Sequence, residues 1–340
     1  MLTYLDLFLI SFIIALVLTP IIQHISFYIG AIDKPNKRKV HAEPIARLGG
    51  VAIFIGFLAA ILIKGQVDRT LFGIILGSCI LLTVGLMDDI RRKGLFAPIK
   101  LIGQVLAAWI VVHYYGVRIE MFSSPFGDGL FSLGWVSEPL SILWIVGITN
   151  TINLIDGLDG LAAGVGSIAA FTLFLTAIIL GRFDAAVLLI ALLGASLGFL
   201  RYNFSPASIF MGDTGSTFLG YILAVASIIG VLKSAASLAL AIPILALGIP
   251  IFDTLSAIFR RLSRKQHIFK PDSEHIHHRL LLSGFTHKQA VLLIYFASIL
   301  LSMGALLVAV VKGPWLVVTF LAICLLIIIG AITIKQKILV

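Results

Sequence analysis

Asn150-Thr-Ile-Asn153-Leu-Ile-Asp156-Gly-Leu-Asp159-Gly160 places two carboxamides and two carboxylates within eleven residues of a chain that is otherwise mostly hydrocarbon. An apolar run, 142–148, leads into it, and a stretch rich in small residues, 161–180, leads out. Inside a bilayer such a polar knot is costly unless it lies at a surface or lines a wet cavity. It therefore marks a point where the chain leaves the hydrocarbon, and it reads as the floor of a site on which other polar clusters converge.

Composition sets the class. The 340 residues are 60% hydrophobic and only 12% charged, with a mean hydropathy of +1.11. A soluble domain carries about 25% charged residues. There is too little polar surface here to cover a water-soluble globule. The expected fold is an all-α polytopic membrane protein, a single integral membrane domain over 1–340. Apolar stretches long enough to span a bilayer, about 17–25 residues, fall at 5–27, 48–64, 70–87, 99–115, 138–152, 161–180, 184–200, 215–232, 236–258, 289–311 and 315–334. That predicts eleven crossings. The segment Leu2–Ile25 lacks a cleavage signal and reads as a retained first helix. Cys79 and Cys324 lie in apolar runs and read as small core hydrophobes.

A formal net charge of +9 would suggest nucleic acid in a soluble protein. In a membrane protein, Lys and Arg mark cytoplasmic loops instead. With the amino terminus outside, nineteen of the 25 Lys and Arg residues fall in inner loops. Even numbers of crossings then separate the clusters 33–47, Asp88-Asp89, 150–160, 201–216 and 260–288, so all five are expected on the cytoplasmic side. In an outer loop, Phe126-Gly-Asp-Gly129 is a turn or hairpin signal without assigned chemistry.

Each cluster has a plain reading beside a chemical one. Asp88-Asp89 ends the third predicted helix before Arg91, Arg92 and Lys93. It is either a solvated helix end or a carboxylate pair able to hold a metal or act as a base. Lys100 is either a snorkelling interface residue or a phosphate contact. Asp159 could cap the sixth helix, which leaves Asn153 and Asp156 as oxygen donors suited to Mg²⁺. Asp213, in Phe210-Met-Gly-Asp213-Thr-Gly-Ser216, could cap the eighth helix or complete that magnesium site with Asn153. The Gly-x4-Gly-Lys-Ser/Thr pattern of a P-loop is absent. His275-Ile-His277-His278-Arg279 lies in the most basic loop. Zinc is disfavoured because no cysteine is near, and a diphosphate clamp suits three histidines and an arginine better. Asp253, inside the ninth apolar stretch, is expected to be buried and paired. An ion path through the bilayer is the competing class. Each acid at midplane costs about 2.5–3.5 kcal/mol, so a surface site is the cheaper arrangement for five acids at helix ends.

These residues carry a resemblance. Asp88-Asp89, Asn150-x-x-Asn153-x-x-Asp156-Gly-x-Asp159-Gly160, Phe210-x-Gly-Asp213 and His275-x-His277-His278-Arg279, in this order between apolar stretches, resemble the polyprenyl-phosphate N-acetylhexosamine-1-phosphate transferases. The resemblance covers nearly the whole chain. The histidine run, with Arg38-Lys39-Val40-His41 and Arg47-Leu48-Gly49-Gly50, is similar to the WecA/TagO branch. The MraY branch, which acts on a UDP-muramoyl-pentapeptide, has a Thr-Pro-Thr-Met-Gly-Gly pattern where this chain has Pro44-Ile45-Ala46-Arg47-Leu48. Lys39 stands as the candidate for that branch's loop lysine.

The resemblance implies transfer of N-acetylhexosamine 1-phosphate, most simply GlcNAc 1-phosphate, from a UDP-sugar to undecaprenyl phosphate, with release of UMP. This is the first membrane step of teichoic-acid or O-antigen type glycan synthesis in a bacterial cytoplasmic membrane. It implies Mg²⁺, or Mn²⁺ in its place, on Asp213 and Asn153, and Asp88 and Asp89 acting on the lipid phosphate, with Asp156 part of the catalytic group. Lys100, His277, His278 and Arg279 would neutralise the diphosphate. Asn150, Gly157, Leu158, Asp159, Asn203, Phe210, His275, Lys39 and Arg47 would contact substrate. Direct in-line attack by the lipid phosphate is the expected mechanism. The expected partners are the UDP-N-acetylhexosamine, the polyprenyl phosphate, the lipid bilayer and a second copy of the chain, with no nucleic acid.

Overall fold

The computed structural model describes residues 3–34, 43–63, 68–91, 94–123, 130–232, 240–266 and 274–311. The predicted crossing at 315–334 and Lys39 lie outside the described residues.

The first eight apolar stretches are helices: α1 Tyr4–Ile29, α2 Gly49–Ile63, α3 Arg69–Ile90, α4 Ala97–His113, α5 Ser137–Ile155, α6 Leu161–Ile179, α7 Phe183–Asn203 and α8 Gly212–Ser227. In hydrocarbon a segment must satisfy its own backbone hydrogen bonds, and an uninterrupted apolar run does so as a helix. A π-helical turn, Ile228–Leu232, continues α8. Among the described residues seven helices are long and apolar enough to cross a membrane, and α2 and α4 are shorter apolar helices. The protein is a multi-pass membrane protein.

The ninth apolar stretch is not one crossing helix, contrary to the expectation for 236–258. It divides at Leu247 into α9, Ala241–Ala246, and α10, Gly248–Ser263. Pro243 and Pro250 each fall in the first turn of their helix, where a missing N–H is tolerated. Pro250 cannot extend α9, because its ring would clash with the carbonyl of Ala246. Two further helices follow, α11 Ile276–Leu282 and α12 His287–Val310.

The α8 helix is the axis of the bundle. Of its span 94% is buried, against 28% for α1, and it packs on α2, α3, α5, α6 and α7. Phe218 meets the edges of Phe54 and Phe57 at 5.4 Å each. A second apolar cluster joins Ile155, Leu158, Leu161 and Val165 to Leu280, Val291 and Ile294, docking α11 and α12 beside α6.

Two small strand pairs complete the fold. Strands β1 (Ile32–Asp33) and β2 (Ile45–Ala46) pair antiparallel, and Ala46 also bridges Ile209 in parallel. The Phe210 amide donates to Ala46 O, while Gly49 and Gly50 donate to the carbonyls of Phe210 and Met211. The connection after α1 is thereby zipped to the stretch that opens α8. Strands β3 (Met121–Ser123) and β4 (Leu130–Ser132) form a hairpin around the predicted turn 126–129, which itself lies outside the described residues.

Candidate active site

At one end of the bundle the last turn of α3, the first turns of α4 and α8, the end of α5 and Arg47, two residues before α2, meet. Asp89, near the end of α3, is enclosed, with its side chain wholly inaccessible. Its oxygens accept from the amides of Asp213 (3.1 Å) and Thr214 (3.0 Å) and from Thr214 Oγ1 (2.7 Å). Arg47 Nη2 approaches at 3.3 Å. The first amides of a helix have no intrahelical partner and carry the positive end of its dipole. Asp89 therefore caps α8 from another helix. Gly212 has φ +70°, and a Cβ there would collide with Arg47 O and the Asp89 carboxylate. Neither plain capping reading holds: Asp213 does not cap α8, and the residue before α6 is Gly160, with no side-chain cap.

Asp213 is half-buried and Asp88 buried, and both meet Lys100. Lys100 Nζ donates to Asp213 Oδ2 at 2.6 Å and lies 3.4 Å from Asp88 Oδ1. Asp88 also accepts from the Leu95 amide at 2.6 Å. Asn153 Nδ2 donates to Asp213 Oδ1 (3.2 Å) and Ser216 Oγ (2.8 Å). Asp213 keeps 20% of its side chain exposed, which makes it the carboxylate a ligand can reach. Asp88, Asp89 and Asp213 offer oxygens within 4.8 Å of one another.

Asp156 follows α5 and is half-buried. Desolvation, reinforced by the charges of Asp213 and Asp89, pushes its carboxyl up to about 7. Asp88, Asp89, Asp156 and Asp213 set four acidic groups against two cations, Arg47 and Lys100. An all-oxygen and amide donor set with that excess suits one hard divalent cation.

The basic run approaches from the other side. His277 is buried, and a Cβ on Gly157 would collide with its Nε2, so glycine lets the backbone lie against the ring. Burial pushes His277 down to about 4, with the neighbouring His278 acting in the same direction. With that shift the ring lies beside Gly157 as a neutral hydrogen-bonding group. Its Nδ1 has no hydrogen-bond partner among the described residues. His278 and Arg279 are exposed. His275 is buried against Asp253.

Several expected substrate contacts are engaged within the protein. Asn203 accepts from the Gly160 amide (3.1 Å) and donates to Ile209 O (2.9 Å), pinning the 156–160 turn to the α8 approach. Asp159 accepts from the Ala207 amide at 3.0 Å. Leu158 lies in the second apolar cluster. Asn150 donates to Gln104 Oε1 (2.5 Å) and Val146 O (2.9 Å). Phe210, half-buried, is held by the zipper, and Arg47 by Asp89. The sequence reading missed Gln104, one turn beyond Lys100 on α4, and Tyr295, whose hydroxyl donates to Gly160 O at 2.5 Å. Gln104 had a visible signal, because it shares a helix face with Lys100 at i, i+4.

A membrane bundle with an acidic cluster at the ends of its helices and a basic run adjoining it at Gly157 is suited to joining phosphate groups. Residues 71–231 match the family described as glycosyl transferase family 4. The chain is 45% identical over 300 residues to a probable undecaprenyl-phosphate N-acetylglucosaminyl 1-phosphate transferase of Bacillus subtilis, covering 88% of this chain and 83% of that one. It is 37% identical over 306 residues to the decaprenyl-phosphate N-acetylglucosaminephosphotransferase of Mycolicibacterium smegmatis, covering 81% and 75%. Identity to the phospho-N-acetylmuramoyl-pentapeptide-transferase of Bacillus subtilis is lower, 31% over 314 residues, covering 87% and 93%. The chain belongs to glycosyl transferase family 4, among the polyprenyl-phosphate N-acetylhexosamine-1-phosphate transferases.

Proposed function

We propose that this protein transfers N-acetylglucosamine 1-phosphate from UDP-N-acetylglucosamine to undecaprenyl phosphate at the cytoplasmic face of a bacterial cytoplasmic membrane, with the amino terminus outside. The observation that carries this reading is the convergence of Asp88, Lys100, Asn153 and Asp213 from four helices at one end of the bundle. An oxygen of the lipid phosphate attacks the sugar-bearing phosphorus. The bond from that phosphorus to the bridging oxygen breaks, and UMP leaves with the bridging oxygen.

Asp213 and Asp88, with Asn153, form the set that would hold Mg²⁺. When bound, the ion supplies charge that offsets repulsion between the two polyanions and stabilises the leaving phosphate. Lys100 already places one cation on Asp213 and Asp88 and is positioned to meet phosphate oxygens. Asp89 is assigned as the brace of α8 rather than as a proton acceptor, because its oxygens are occupied by Arg47, Thr214 and the Asp213 amide. Exposed Arg279 can grip the diphosphate in bidentate fashion. Neutral His277 offers a hydrogen bond beside Gly157.

The test uses purified protein in detergent. UMP release should require both undecaprenyl phosphate and a divalent cation, and UDP-N-acetylglucosamine should outperform a UDP-muramoyl-pentapeptide. Release of UMP without the lipid acceptor would sink the transfer reaction.

A further inference from the structure

The α10 helix has two unlike faces. Phe252, Leu255, Phe259 and Leu262 are exposed on one, while Asp253, Ala257, Arg260 and Arg264 recur at helical spacing on the other. Asp253 is only 2% exposed. A buried carboxylate is costly unless it is paired and hydrogen-bonded. Here Oδ2 meets His275 Nδ1 at 2.8 Å, and Oδ1 accepts from the Ile276 amide at 2.8 Å. One residue earlier, Glu274 takes both terminal nitrogens of Arg264, at 2.5 and 3.2 Å. Three consecutive residues are thus tied to α10 where the chain enters α11.

The tie reaches the site through stacked rings. With Asp253 accepting from Nδ1–H, the orientation of the His275 ring is set. The His277 ring lies parallel to it, 5.8 Å away at an angle of 3°, and His278 follows at 4.3 Å from His277. His277 in turn rests on Gly157. None of the hydrogen bonds in the acidic cluster passes through Asp253.

We propose that Asp253 is a positioning residue: by fixing His275 and the first turn of α11, it sets where His277, His278 and Arg279 meet the nucleotide-sugar diphosphate. This rests on the transferase reading above. Asp253 governs capture of the donor and leaves the acceptor and metal sites unchanged.

The test compares wild type with Asp253→Asn in the full chain. Asparagine keeps the size and one acceptor but presents an amide to His275. The KM for UDP-N-acetylglucosamine should rise about tenfold, with kcat, the KM for undecaprenyl phosphate and Mn²⁺ affinity little changed. Hydrogen exchange should quicken over 274–282 and stay constant in α8. His275→Asn, which can still donate to Asp253, should retain far more donor affinity than His275→Ala. An unchanged donor KM in Asp253→Asn overturns the proposal. So does a uniform change in both KM values with faster exchange throughout the bundle. If wild type releases no UMP the transferase reading fails by itself, and the exchange comparison still decides whether Asp253 anchors α11.

Discussion

The acidic cluster and the histidine run adjoin where His277 lies against Gly157, but they are built in opposite ways. The acids sit on the turns of α3, α5 and α8, and α8 is 94% buried. Asp89 is part of the packing itself, since it terminates the axis helix of the bundle. The histidine run belongs to a short helix held by the Asp253 and Glu274 ties and by the small Leu280 cluster. Groups that must meet a reacting phosphorus gain from rigid elements, because small misplacements are expensive in rate. Groups that recognise a donor can ride on a segment tuned separately. The two halves should therefore fail differently when broken.

The largest effect is expected at Asp213. Asp213→Ala should lower UMP release by about 10²–10³-fold and abolish Mn²⁺ binding, followed by electron paramagnetic resonance. Its thermal midpoint should stay near wild type, because Lys100 keeps Asp88 and Asn153 keeps Ser216 as partners when the Asp213 side chain is removed. Asp89→Asn should lose about 10–100-fold in rate and, unlike Asp213→Ala, about 3 kcal/mol of stability. Denaturation in detergent separates the two variants. Equal stability losses would erase the distinction between the reaching and the bracing carboxylate.

Smaller effects concern pH. The Asp156 carboxyl is raised from 3.8 to about 7. The folded, metal-free protein then binds more protons than the unfolded chain between those values, and stability falls as pH rises through about 7. Asp156→Asn should flatten that decline in thermal midpoint. The His277 shift has the opposite sign, from 6.5 down to about 4. Its contribution is complete above pH 6.5 and is lost as pH falls towards 4. His277→Gln should remove that acid-side loss, read as hydrogen exchange in α11, while leaving α8 unmoved. A change in α8 would mean that the two halves are coupled.

Much of this was visible in the chain. Asp88, Asn153, Asp156 and Asp213 stood out because isolated polar groups in hydrocarbon have few places to go. The helices at the first eight apolar stretches and at 289–311 followed from apolar length alone, and seven of these nine are long and apolar enough to cross a membrane. The ninth stretch did not, because hydropathy averages over the Pro243 and Pro250 punctuation that divides α9 from α10. The two members of Asp88-Asp89 could not be told apart, since both are buried and only their partners, Lys100 for one and the amides of α8 for the other, distinguish them. Asn203 and Leu158 came from the family resemblance alone, and only the fold shows that one pins the 156–160 turn and the other packs in the second apolar cluster. Asp253 was expected to be paired, but its partner lies 22 residues away and only the tertiary structure names it.

The trans-helix cap has a consequence for biogenesis. Asp89 is synthesised 125 residues ahead of Thr214. At ribosomal speeds of about 5–20 residues per second, it waits roughly 6–25 s for the helix it will close. Throughout that interval the nascent hairpin of α3 and α4 carries a carboxylate with no axis helix to receive it. The reaction centre is therefore a late product of insertion, and a chain released before residue 212 would enter the membrane with its acids still unassembled.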